Sequence, residues 1–368
     1  MGTRFYAITL AALVFGLAPS AQAGYLETPD YPLNANEQLY ANLAKLPVKE
    51  RHDRLVEGAK KEGSVAFIQT LPGTLGRGVT KFFRDQYAFI KVEETNLGTN
   101  YAMERLVVEE RANKHITDVT GGDITEASYP LDLGFLARFP TPATDAILPQ
   151  YRGSLDKHNR WIVYAWLEKG VSYNAALIKE EDAPKGWMDL CNPRFKGQFS
   201  IEPARTRFVS FLHKMLGEEK FKEWLKCIAA NEPIVMRGAT VRMELMLAGD
   251  HAIQGENAFY TGVQFMEKRG PERVKFRMVL SDPLMVQPSS CVINRMAPNP
   301  NAAALFCDKL LDKDVQQFMW DNYRNPMTMP SRFMPRDVTL IPVGPIPAEE
   351  ANRLMAMWAA TIGTNKGN

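Results

Sequence analysis

Between residues 64 and 123, apolar runs alternate with amphipathic ones, and this restricts the chain more than any other feature. After a helix over 50–61 that stops at Gly63, Ser64-Val-Ala-Phe-Ile68 reads as a buried strand. A helix carrying Val79, Phe82 and Phe83 follows, then a strand over 90–94, a helix over 101–113 and a strand over 117–123. Strand, helix, strand, helix, strand implies crossover connections and a parallel sheet. In open sheets of this kind ligands sit beyond the carboxyl ends of the strands. The loops 70–74, 96–100 and 121–126 therefore point at one place.

A second unit of the same kind begins after a crossing. Trp161-Ile-Val-Tyr-Ala-Trp166 is apolar and aromatic, and Val171-Ser-Tyr-Asn174 leads through Ala175-Ala-Leu-Ile178 into a polar connector. Asp189-Leu-Cys-Asn-Pro-Arg-Phe-Lys-Gly197 and a short strand, Gln198-Phe-Ser-Ile201, complete it. A strand pair leaving one compact unit for another has this pattern, with Pro and Gly marking the turns. Helices are predicted around Phe208 to Leu212, over 218–229 and over 241–248, with strands over 233–236 and from Ala252 onward. Strands 275–280 and 285–293 return through the hinge. Asn299 caps a helix with Pro300 at its first position, and 348–361 forms a last helix.

Composition excludes several classes. The 368 residues carry a net charge of +2 and are 45% hydrophobic, so nothing points to nucleic acid or an anionic membrane surface. Arg4, the apolar stretch 7–18 and Ala21-Gln-Ala23 read as a secretory signal peptide cut before Gly24. No later apolar stretch reaches the ~18 residues of a membrane span. The mature chain is therefore expected to be an exported, soluble protein. Export permits disulfides among Cys191, Cys227, Cys291 and Cys307, with Cys191–Cys227 the preferred pair. No C-x-x-C occurs and the five histidines do not cluster, so no metal site and no cofactor is expected.

The hinge run is where the chain resembles a known family. Tyr173-Asn174, then Ala183-Pro-Lys-Gly-Trp187, then Asp189-Leu-Cys-Asn-Pro-Arg-Phe-Lys-Gly197 resembles the crossover of periplasmic solute-binding proteins of ABC transporters. Within family 1 extracellular solute-binding proteins, the group that includes the ferric-ion binders is most similar. Asn299-Pro-Asn-Ala-Ala-Ala-Leu-Phe-Cys-Asp-Lys-Leu-Leu311 resembles the family's late helix, with Asn299 where the family has His. The resemblance spans roughly 55–330. It implies an α/β, periplasmic-binding-protein-like fold of type II, with two lobes, a two-strand hinge and a ligand cleft between them. The boundaries expected are a leader 1–23, an N-terminal arm 24–48, lobe I over 49–165 plus 285–330, lobe II over 166–284, and a C-terminal segment 331–368.

The ferric-ion binders hold iron with a Tyr-Tyr pair after an Ala-Gly-Glu stretch. Here Ala248-Gly-Asp250 places that pair at Phe259 and Tyr260, and 70–75 lacks the family's His. A hard trivalent ion needs several charged oxygens, and Phe supplies none. The converging loops instead present Thr70, Gly73, Thr74, Thr206 and Tyr260, the polar groups of Asn100, Asp123 and Asn257, and the guanidinium groups of Arg205, Arg207 and Arg242. Arginine pairs bidentately with carboxylate or phosphate, and a helix N-terminus adds positive charge. The expected ligand is a small anionic or polar organic solute: a carboxylate, a phosphonate or a sugar phosphate. Tyr173, Trp166 and the methionines of 236–246 read as core. The expectation is a monomer that closes on its solute and delivers it to an ABC permease in the inner membrane. A ferric-ion or ferric-chelate binder relying on Tyr260 is the alternative. A secreted hydrolase is the alternative from another class, though neither G-x-S-x-G nor H-E-x-x-H occurs.

Overall fold

The computed structural model describes residues 31–71, 73–203, 205–281, 283–331 and 339–363, so the leader expected at 1–23 lies outside the described residues. In chain order the first elements are α1 (Ala35–Leu43), α2 (Val48–Glu62), β1 (Ser64–Gln69), α3 (Gly73–Gln86), β2 (Lys91–Asn96), α4 (Thr99–Arg111), β3 (Val119–Asp123) and the short α5 (Ser128–Asp132). The crossing strand β4 (Ile162–Asn174) leads to β5 (Phe199–Ile201), α6 (Thr206–Leu216), α7 (Glu218–Ala230), β6 (Ile234–Val235), α8 (Ala239–Ala248), β7 (Ile253–Asn257), α9 (Phe259–Arg269) and β8 (Phe276–Val279). The chain ends with β9 (Leu284–Ile293), α10 (Pro300–Lys309), α11 (Lys313–Asp321), β10 (Asn325–Pro326), β11 (Leu340–Pro342) and α12 (Ala348–Ile362).

The strands lie in the order β2-β1-β3-β9-β4-β7-β5-β6. β1 pairs in parallel with β2 and β3, as the alternation of elements requires. β9 then returns antiparallel between β3 and β4. The other lobe repeats the scheme, with β5 parallel to β6 and β7, and β7 antiparallel to β4.

β4 belongs to both halves. From Ile162 to Lys169 it pairs with β9, and from Gly170 onward with β7 and β8. The register slips between Gly170 and Ser172. A Cβ at Gly170 would collide with the Val279 carbonyl oxygen, so only glycine lets the strands approach this closely at the changeover. All thirteen residues of β4 are buried, including the charged pair Glu168 and Lys169.

Two large apolar clusters lie on either side of this point. One runs from Tyr40 to Trp166 and from Leu284 to Met327. The other runs from Val171 to Ile253 and takes in Val343, Leu354 and Trp358. Met243 and Met246 pack with Phe265 and Phe276 in a third, smaller one.

Three features differ from the sequence reading. Residues 35–43 form a helix, not an irregular arm, because Asn34 and Glu37 make reciprocal capping bonds. Glu37 is then buried, accepting from Arg138 Nε at 2.9 Å and Arg295 Nε at 3.0 Å. α12 packs on α6 and α7, with Trp358 5.8 Å from Phe208 and 6.2 Å from Trp224, so the C-terminal helix completes the second core. Asn299 caps α10 only by its backbone position; its side chain donates to Asp118 Oδ2 at 3.0 Å and ties that helix to β3. Both disulfides form: Cys191–Cys227 with Cα atoms 5.4 Å apart, and Cys291–Cys307 with Cα atoms 6.1 Å apart.

Candidate ligand cleft between the lobes

The candidate cleft lies where strand ends from both halves meet the hinge. Asp123 ends β3 on one side, and Arg207 lies in the first turn of α6 on the other. Arg207 Nη1 is 3.8 Å from Asp123 Oδ2, and its Nε donates to Glu256 Oε1 at 3.0 Å. One guanidinium thus links a carboxylate of each lobe. Burial opposes its charge, but Glu256, Asp123 and Glu126 outweigh it and hold Arg207 firmly ionised. Glu126 in turn is raised, by burial first and by Asp123 second.

The hinge supplies the second group. Lys169 is buried at the changeover in β4, and its pKa is lowered by burial first and by Arg207 next. Among the described residues no carboxylate lies within the 4.0 Å of an ion pair with it. Its neighbour Glu168 accepts from Phe259 N at 2.9 Å and from Asn325 Nδ2, and burial raises its pKa.

Tyr260, in the first turn of α9, faces these cations. The Arg324 guanidinium lies over its ring, 4.1 Å from the centroid. Burial would raise the phenol, but Arg324 and Lys169 pull it below its ordinary range. Phe259, its neighbour in the chain, packs on Phe276 with ring centroids 6.0 Å apart.

The sequence candidates fare differently. Asp123, Arg207 and Tyr260 share this charged cluster with Lys169. Thr70 follows β1 and lies against Gly122, where an added Cβ would sit 3.5 Å from its methyl carbon. Gly73 and Thr74 open α3 and are exposed. Asn100 falls in the first turn of α4, and its side chain is outside the described residues. Arg205 is the N-cap of α6, with Nε 3.6 Å from Glu202 Oε2, and Thr206 is the first residue of that helix.

Two candidates serve the scaffold. Arg242 is fully buried, donating to Gly255 O at 2.7 Å and Glu202 Oε1 at 3.1 Å, which spends its guanidinium inside lobe II. Asn257 is also fully buried and donates to Ser172 Oγ at 2.9 Å, bracing β7 against β4.

Lys169, Glu256 and Arg324 escaped the sequence reading. Lys169 had a signal, because Glu168-Lys169 is a charged pair inside an otherwise apolar crossing strand. Arg324 had none, since only folding brings it to Tyr260. Among the described residues, no group of three or more His, Cys, Asp or Glu side chains is placed to hold a metal ion.

Residues 131–338 match the model of a family described as bacterial extracellular solute-binding protein. The chain belongs to that family. The Fe(3+)-binding periplasmic protein of Serratia marcescens is 33% identical over 167 residues, which is 44% of this chain and 47% of that relative. The chain therefore matches about half the length of this curated relative. Iron-bound HitA from Pseudomonas aeruginosa superposes with a TM-score of 0.70 at 18% identity, covering 81% of this chain and 99% of that one. AfuA from Actinobacillus pleuropneumoniae, solved with fructose-6-phosphate, gives 0.68 at 20% identity, covering 82% and 99%. The ferric binding protein from Campylobacter jejuni gives 0.67 at 18%, covering 82% and 100%. At these identities the likeness shows the fold, which is that of type II periplasmic binding proteins with two lobes.

Proposed function

We propose that this family member captures a small anionic organic solute in the periplasm by closing its two lobes, and passes it to an ABC permease of the inner membrane. Lys169 carries the reading. Its amine is buried at the hinge, beside Arg207 and Tyr260; burial and Arg207 disfavour its charged form more than Glu256 and Glu202 favour it, and no carboxylate among the described residues is close enough for an ion pair. Burying such a charge is costly unless an anion compensates it. A carboxylate, phosphonate or sugar phosphate between the lobes supplies that charge. Contacts to both lobes then favour the closed form.

A ferric ion or ferric chelate is the second reading. Tyr260 favours it, because Arg324 and Lys169 outweigh burial and lower its phenol below the ordinary range, and a phenol oxygen is a hard donor. The similarity to a Fe(3+)-binding periplasmic protein supports the same reading.

A thermal-shift panel on the ligand-stripped protein separates the two. A specific ligand at a hundredfold its Kd stabilises by about 2.7 kcal/mol. Stabilisation by an organic anion without visible colour supports the first reading. A visible tyrosinate–iron band with ferric citrate, and no response to iron-free anions, supports the second.

A further inference from the structure

We infer that the solute is a hydroxylated anion, its anionic group held at Lys169 and Arg324 and its hydroxyls donating to Asp123 and Glu256. This rests on the anion reading above and adds what the rest of the solute must carry.

Asp123 and Glu256 are both buried, at 5% and 2% exposure. Each has one oxygen engaged. Asp123 Oδ1 accepts from Thr125 N at 3.1 Å and Thr125 Oγ1 at 2.7 Å, and Glu256 Oε1 accepts from Arg207 Nε. Their second oxygens, Asp123 Oδ2 and Glu256 Oε2, are covered and have no hydrogen-bond partner. An ionised carboxylate only accepts, so each oxygen calls for a donor. The 3.8 Å from Arg207 Nη1 to Asp123 Oδ2 is too long for a hydrogen bond. Glu256 is also held at φ +52°, a conformation that non-glycine residues adopt mainly where surroundings over-determine it, as at ligand clamps.

The same cluster also needs an acceptor. Arg324 is buried, and its Nε has no partner. Lys169, which like Arg324 acts on Tyr260, is a second basic group with no ion-pair partner among the described residues. Donors wanted by the carboxylates and an acceptor wanted by the basic groups describe one molecule with two kinds of group. Arg207 already brings positive charge to both carboxylates, so neutral hydroxyls satisfy them without crowding in another cation.

Calorimetric titration of the ligand-stripped protein with two probe series tests this. One series is glycerol 3-phosphate, propyl phosphate and phosphoethanolamine; the other is gluconate, hexanoate and 6-aminohexanoate. In at least one series the hydroxylated probe should bind about tenfold or more tighter than both others, as one or two well-made hydrogen bonds would give. Asp123→Asn and Glu256→Gln should narrow that ratio. The wild-type ratio decides alone, so a variant that does not fold leaves the test intact. Equal binding of hydroxylated and plain anions, or preference for the amine-bearing probe, overturns the inference while the anion reading stands. No binding in either series overturns both.

Discussion

Arg207 of α6 and Asp123 of β3 face each other across the cleft at 3.8 Å, the ion pair that joins the walls of the two lobes. Arg207 is anchored on its own lobe by Glu256. In the proposed closing motion, separation of the lobes would pull Asp123 away from this guanidinium.

Arg207→Gln should therefore weaken solute binding by about 2–3 kcal/mol, the range for losing a hydrogen-bonded buried charge. Calorimetry on the variant checks the affinity. Small-angle scattering should show a larger radius of gyration than wild type under the same solute concentration.

Lys169→Met should abolish most anion affinity while leaving the fold intact, because it removes a desolvated cation and keeps the apolar stem. The pH dependence follows from the lowered pKa. Anion binding should fall as pH rises through that depressed value, earlier than for an ordinary lysine at 10.5. Stability of the free protein moves the other way. Between the folded and unfolded values the unfolded chain holds the extra proton, so stability rises with pH there. Titration at a series of pH values, with Lys169→Met as the flat reference, measures both.

Glu37→Gln tests how α1 is held. Burial opposes ionisation of Glu37, but bonds from Arg138, Asn34 and Arg295 lower its pKa below 4.5. Its stabilisation is present above that value and lost as pH falls through the folded one. The variant should cost about 2–4 kcal/mol at neutral pH and lose less stability on acidification than wild type. Denaturant midpoints read both effects.

The disulfides should act through the unfolded chain. Cys191–Cys227 and Cys291–Cys307 close separations of 36 and 16 residues. Each should contribute about 3–4 kcal/mol in the loop-entropy view, the longer loop more. Guanidinium unfolding of the double-serine variant of each pair measures this from the midpoint shift.

Much of the scaffold was legible because it depends on periodicity. The crossing strand announced itself as Trp161 to Asn174, and the alternation before Asp123 implied the parallel strands on either side of β1. The helix α1 was also written locally, as Asn34 followed three residues later by Glu37, but the surrounding Pro, Asn and Tyr residues masked it. The cleft was harder. Arg242 and Arg207 look alike in sequence, and only packing shows that one faces carbonyl groups inside lobe II and the other reaches between lobes. Arg324 and Tyr260 come from distant segments, so no spacing could pair them.

The most direct test of the central claim is a parallel calorimetric titration of wild type and Lys169→Met with the organic anion that most stabilises the ligand-stripped wild-type protein. Wild type should show saturable one-site binding and the variant a loss of at least about tenfold, the equivalent of one buried charge-assisted contact. Equal affinity for the two proteins would contradict the claim.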